Sequence, residues 1–366
     1  MNKTLIESSD IDMEQLDSSE DIKKIDPSGM YEKIYRFPEQ LEEAARIGRS
    51  LKPDKKYFTG IKNIIVAGMG GSAIGGDLVR SYLADKINIP FFICRHYRLP
   101  RFVDKSSLVI SSSYSGNTEE TLSAFNDALK RHAKIACITT GGELGRMAGE
   151  NKFLTAELPK GYPPRAALGF SFVPLLFLLS KLGFVPDVDK DITNLIAELK
   201  SFRDAYSVDT DIDDNQAKSI AGKMHGRIPI VYTGPELIDT VGTRWKGQIC
   251  ENAKSLAFHN QFPEFNHNEL VGWNVIDNYR DRLIVIFLKD SDDYDRVAKR
   301  MSIVKRIINE QKVEVVEVNS RGTSPLIRMF SLIQIGDFAS LYLAILNNID
   351  PTPVKIIDFL KDELTK

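Results

Sequence analysis

The chain has 366 residues, and its 48 Lys plus Arg against 50 Asp plus Glu give a formal net charge of −2. At about 150 residues per domain the length makes two domains the starting expectation, and the near-neutral balance excludes a general nucleic-acid binder, whose phosphate contacts need an excess of cations. Apolar residues are 43% and charged residues 27% of the chain, ordinary for a globular protein long enough to bury a large core. Cys94, Cys137 and Cys250 form no CxxC pair, which argues against a disulfide framework or a structural zinc site and favours a reducing, cytoplasmic setting.

The opening MNKTLIESSDIDMEQLDSSED is acidic and polar, without the apolar run of a signal peptide. Residues 1–25 are expected to be a flexible extension. Residues 26–186 read as a first α/β domain with an N-terminal helix, which has a Ser28 cap signal and helical periodicity from Met30. Apolar runs at 63–67 (NIIVA), 90–94 (PFFIC), 107–111 (SLVIS) and 134–139 (KIACIT) predict buried parallel strands, with helices at about 75–84 and 119–131 between them. Residues 166–185 have the length of a bilayer span, but Pro174 and Lys181 interrupt them. They predict a buried helix, with no second such segment in the chain and no membrane as partner.

A charged, helical linker is expected at 187–215, followed by a second domain at 216–350. Its strands are predicted at 228–233, 282–288 and 313–318, its helices at 235–253, 293–310 and 331–346, and a last helix lies within 351–366. Strands alternating with helices imply open parallel sheets wound by right-handed crossovers, the same α/β plan used twice.

Two turns carry chemistry. GMGGSAIGG, at 68–76, follows the first strand and opens a helix, so backbone amides can approach an anion. Gly68, Gly70 and Ala73 also fit G-x-G-x-x-A, but a dinucleotide site wants an acid near the end of the next strand. Cys94 and Arg95 stand there instead, which disfavours NAD and leaves NADP open. The second turn, SSSYSGNTEET at 111–121, puts the hydroxyls of Ser113, Ser115 and Thr118 beside helix N–H groups. Capping a helix takes one hydroxyl; three, together with Gly71 and Ser72 of the first turn, predict a pocket for a terminal phosphate.

This pair of turns resembles the sugar isomerase (SIS) domain. With GYPPRAALGF at 161–170, ENAKSLAFHNQFPEFNHNELVGW at 251–273 and DPTPVKIIDFLK at 350–361, the chain from about Asp26 to Lys366 is similar to the archaeal and bacterial bifunctional phosphoglucose/phosphomannose isomerases. The SYSGNT turn is common to SIS proteins, and the other segments are more specific. The resemblance implies two SIS subdomains, each a doubly wound, Rossmann-like parallel sheet flanked by helices. It implies interconversion of glucose 6-phosphate and mannose 6-phosphate with fructose 6-phosphate through a cis-enediolate. It implies neither metal nor cofactor, and it implies a homodimer as the active form.

Such an isomerase must anchor the phosphate, open the ring, carry a proton between C2 and C1 and stabilise the oxyanion. A carboxylate suits the proton transfer. On residue type alone Glu251, Glu264 and Glu269 compete, and the resemblance of ENAK to the family motif selects Glu251. For ring opening His267 competes with His259; the resemblance selects His267 and implies that it is supplied by the neighbouring subunit. Arg165 follows two prolines that stiffen its backbone, and the resemblance gives it the enediolate. It also implies a ring-opening lysine on the C-terminal helix, Lys361 in preference to Lys355. The five histidines show no H-x-H or H-E-x-x-H spacing, and no Walker A or G-x-S-x-G motif occurs. The competing readings are a non-catalytic SIS sensor of phosphosugars and an NADP-dependent oxidoreductase.

Overall fold

A computed structural model of the protein describes residues 13–364, so residues 1–12 of the expected extension, and the last two residues, lie outside the described residues. The chain divides into two compact units, one built from residues 36–200 and 323–327, the other from the remainder.

The first unit holds a five-stranded parallel sheet of β1 (Asn63–Ala67), β2 (Phe91–Cys94), β3 (Ser107–Ser113), β4 (Lys134–Thr139) and β5 (Leu154–Glu157). The spatial order is β2-β1-β3-β4-β5. β3 is buried along its whole length, as a central strand covered on both faces must be. Side chains including Ile65, Val109, Phe125 and Ile135 form a core on one side. The helices Phe37–Ser50 and Leu168–Lys181 pack together, Gly48 lying against the Phe177 ring. Every residue from Leu168 to Leu179 is buried, as expected of a core helix. β1 and β3 are neighbours in register, Ala67 beside Ser111. The connection from β1 leaves toward one sheet edge and that from β3 toward the other. The turns after these two strands therefore flank one crevice, the position where open α/β sheets bind ligands.

The second unit repeats the plan with four parallel strands, β6 (Ile228–Thr233), β7 (Phe258–Gln261), β8 (Leu283–Lys289) and β9 (Val315–Asn319), in the order β7-β6-β8-β9. Tyr232, Phe262, Phe265 and Phe287 interlock in its core, Tyr232 and Phe265 stacked at 4.2 Å between ring centroids.

Several expectations need correction. The helix placed at about 75–84 spans Gly70–Tyr82, because its glycines are packing positions within the helix as well as turn residues. β5 and β7 were not expected: both are short edge strands, and neither is a continuous apolar run. The described part of the N-terminal extension is not loose. Met13–Asp17 is a 3-10 helix and Ser19–Ile25 an α-helix, with Leu16 and Ile22 buried. The fully buried Lys218 ammonium donates to Asp17 Oδ1 at 2.6 Å and to the carbonyls of Val208 and Thr210 at 2.9 and 2.7 Å, which together offset its loss of water. The capping foreseen for Ser28 falls to Asp26, whose carboxylate accepts from the amides of Met30 and Tyr31 at 2.9 and 2.7 Å. Finally, a second apolar segment does exist. The helix Pro325–Leu346 starts earlier than expected and, by length and composition, could cross a membrane, with a mean hydropathy of 1.6 over an 18-residue window. That window is wholly buried within the protein, as a core helix would be.

Candidate functional site

In the first unit the chain leaves β1 and enters the helix Gly70–Tyr82 with Gly70 at φ +48°, a left-handed conformation that glycine adopts without strain. No side chain caps this helix at Met69. A side chain at Gly71 would run into the Pro164 carbonyl, so the glycine lets the helix N-terminus close on the segment that carries Arg165. Ser171 Oγ shares its one proton between the Gly71 carbonyl at 3.2 Å and the Leu168 carbonyl at 3.0 Å.

The second turn is folded by its own hydroxyls. Ser113 Oγ lies 2.8 Å from Thr118 Oγ1 and accepts from Gly116 N at 3.1 Å, while Ser115 Oγ accepts from Asn117 N at 3.2 Å. Thr118 occupies the N-cap of the helix Glu119–Lys130, yet its side chain makes no capping hydrogen bond. Capping therefore does not account for the threonine. Tyr114 N donates to Ser72 Oγ at 3.2 Å, which ties the second turn to the first. The predicted phosphate residues Gly71, Ser72, Ser113, Ser115 and Thr118 thus belong to two linked turns, each opening a helix of 12 or 13 residues. Two helix N-termini with adjacent hydroxyls suit a phosphate dianion, since amide donors and the helix dipoles favour the same charge.

The Arg95 guanidinium, which left a nucleotide 2′-phosphate open, is paired with the Asp77 carboxylate. Arg165 sits in a short 3-10 helix, Pro164–Ala166, and is only 4% exposed, so it is not a surface cation. Two side chains not expected in the site hold the backbone on either side of it. The Gln40 side chain donates to the Ala166 carbonyl at 2.7 Å and accepts from Gly169 N at 2.8 Å. Tyr114 Oη donates to the Pro159 carbonyl at 2.7 Å and accepts from Tyr162 N at 3.2 Å. Tyr114 stands inside the turn motif, where its position between two serines is the signal that could have found it; Gln40 lies on an amphipathic helix far from its partners in sequence.

In the second unit Glu251 is half-buried near the end of the helix Asp239–Asn252. That helix is clamped to Pro325–Leu346 by polar pairs: Arg244 and Gln248 to Asp337, Trp245 Nε1 to the Leu332 carbonyl at 2.8 Å, and Asn252 to Ser340 at 3.0 Å. Asn347 Nδ2 bonds the Ala253 carbonyl just beyond it at 2.9 Å. Of the rival carboxylates, Glu269 accepts from Tyr232 Oη and, at 2.6 Å, from Asn260 Nδ2, which commits both oxygens. Glu264 is exposed and accepts from Asn268 at 3.1 Å. His259 has Thr233 Oγ1 3.1 Å from Nε2 and Thr243 Oγ1 3.2 Å from Nδ1. Burial, reinforced by Lys246, pushes its pKa down to about 4, so the ring is neutral. His267 ends the 3-10 helix Glu264–His267 and is exposed. Lys355 and Lys361 are both exposed on the helix Lys355–Leu364, which buries none of its residues.

Comparison with known proteins identifies the family. A family model described as the bacterial phospho-glucose isomerase C-terminal SIS domain matches residues 213–364. A bifunctional phosphoglucose/phosphomannose isomerase from Caldicellulosiruptor bescii is 45% identical over 92% of this chain and 99% of its own length. One from Aquifex aeolicus is 39% identical over 85% of this chain and 93% of its own. A hypothetical protein from Thermus thermophilus, at 15% identity, superposes with a TM-score of 0.73 over 96% of this chain and 94% of that one, a likeness of fold. The chain therefore belongs to the bifunctional phosphoglucose/phosphomannose isomerases.

Proposed function

We propose that this chain is an aldose–ketose isomerase that interconverts glucose 6-phosphate, and mannose 6-phosphate, with fructose 6-phosphate. The observation that carries the reading is the Ser72–Tyr114 link, which makes one cradle of two turns, each opening a helix that no side chain caps. Binding energy from the phosphate then holds the carbon chain in register for proton transfer. In the proposed route Glu251 takes the proton from C2 of the open-chain aldose and returns it to C1. Arg165 offsets the negative charge of the cis-enediolate, and His267 and Lys361 move protons during ring opening. These steps are proton transfers and call on neither a metal nor a redox cofactor.

The rival residues support this choice. Glu269 is committed to Tyr232 and Asn260, and His259 to two threonines. Supply of His267 by a second copy, in a homodimer, belongs to the same reading. It is supported by the apolar side chains that the helix Lys355–Leu364 leaves exposed, Ile356, Phe359, Leu360 and Leu364, spaced along one helical face. Free thiols at Cys94, Cys137 and Cys250 support a cytoplasmic location.

The test is a coupled assay of the full chain with glucose 6-phosphate and mannose 6-phosphate in parallel, reading formation of fructose 6-phosphate. Both substrates should turn over. Binding of either without turnover would return the chain to the sensor reading. Thr118→Val should raise KM for fructose 6-phosphate about tenfold with kcat nearly unchanged, the cost of about one charge-assisted hydrogen bond made equally in ground and transition states. A fall in kcat at constant KM would take Thr118 out of the phosphate cradle.

A further inference from the structure

The two turns and the Arg165 segment form a closed triangle. One side is Tyr114 N to Ser72 Oγ at 3.2 Å, joining the second turn to the first. Another is the first turn against the Arg165 segment, where Gly71 lies on the Pro164 carbonyl and is held by Ser171 Oγ at 3.2 Å. The third runs from the second turn to the same segment through one phenol, Tyr114 Oη, to Pro159 O at 2.7 Å and Tyr162 N at 3.2 Å. Tyr114 is the residue common to two of the three sides.

The connection beyond that phenol is stiff. Two prolines separate Tyr162 from Arg165, with Pro163 at φ −59° and ψ 142°, an extended conformation that a proline ring helps to fix. The Tyr162 ring is itself braced edge-on against Phe170, centroids 5.5 Å apart. A shift at the Tyr114 hydroxyl is therefore passed to Arg165 with little slack. We propose that Tyr114 is a positioning residue that fixes the spacing between the phosphate cradle and the Arg165 guanidinium. This rests on the isomerase reading above, in which Arg165 meets the enediolate. Burial holds the Tyr114 phenol above its ordinary pKa, so the hydroxyl stays a donor at neutral pH.

The test compares two non-reacting probes on the full chain. 5-Phosphoarabinonate carries a carboxylate where the enediolate charge develops, and arabinitol 5-phosphate carries a neutral hydroxyl there. Their affinity ratio reads the contact with Arg165, and the affinity for arabinitol 5-phosphate reads the cradle and the fold. Tyr114→Phe should cut the ratio about tenfold and lower kcat for fructose 6-phosphate by a similar factor, with KM and arabinitol 5-phosphate affinity within about twofold, a scale set by the sensitivity of catalysis to small misplacements. A second variant, Pro163→Gly, removes no hydrogen bond and slackens the link; the same signature is expected. An unchanged ratio in either variant, or equal loss of both probes, overturns the role of Tyr114. Wild-type protein that leaves fructose 6-phosphate unconverted overturns instead the isomerase reading.

Discussion

Glu251→Gln should lower kcat for isomerisation at least about a hundredfold while phosphosugar affinity stays near that of wild type, the smaller end of the range for loss of a general base. The amide keeps the size of the carboxylate and removes the ability to take a proton. The fold around it should tolerate the change, because the helix is held by its neighbours: Trp245 and Asn252 are anchored to Leu332 and Ser340, and Asn347 secures the Ala253 carbonyl. The decisive readout is exchange of the C2 hydrogen of glucose 6-phosphate with solvent deuterium, followed by NMR, since this reports the proton transfer apart from product release. Full turnover with normal exchange would remove Glu251 from the role. Glu269→Gln is the contrasting variant. It weakens the clamp on Tyr232 and Asn260 but leaves the exchange step in place, so a loss as deep as that of Glu251→Gln would point to Glu269 as the base.

β1 and β8 were legible because a parallel strand covered on both faces reads as a near-continuous apolar run, as IIVA within NIIVA and LIVIFL within LIVIFLK do. LTAE and FHNQ were not, because an edge strand is defined by the neighbour it pairs with rather than by its own burial. The glycines of the first turn misled in the same way. Read locally they delay the helix; in the fold Gly71 and Gly75 are helical and small because Pro164 and Ser171 lie against them. Hydroxyl spacing exposed Ser113 and Thr118, since both stand on one turn. Gln40 had no local signal, its partners being more than a hundred residues away. Nor could a polar N-terminus announce that Asp17 is the counter-ion of a fully buried Lys218.

Arg244→Met should destabilise the protein by about 3–5 kcal/mol in urea unfolding, the usual cost of stripping one partner from a buried ion pair. Arg244 Nη2 and Asp337 Oδ2 are 2.6 Å apart with side chains only 4% and 8% exposed, and Gln248 Nε2 donates to the other carboxylate oxygen at 3.0 Å. Burial raises the Asp337 pKa above 3.8, and Arg244 and Gln248 oppose that rise without cancelling it. Without Arg244 the opposition weakens and the folded carboxyl takes up a proton more readily than the unfolded one. A folded pKa above the unfolded value means that stability is fully kept below about pH 4 and lost as pH rises through the raised value. The deficit of Arg244→Met should therefore be smallest in acid and grow toward neutrality. Adding Asp337→Leu should recover most of it, because an apolar pair asks for no solvation, and buried ion pairs are often neutral against such a replacement. The recovery separates two roles of the pair. If the double variant is stable but turns over slowly, Arg244 and Asp337 serve to orient the helix that carries Glu251; if it is stable and fast, the apolar contacts orient that helix unaided. A single variant as stable as wild type at neutral pH would mean that Asp337 does not need Arg244 as its counter-ion.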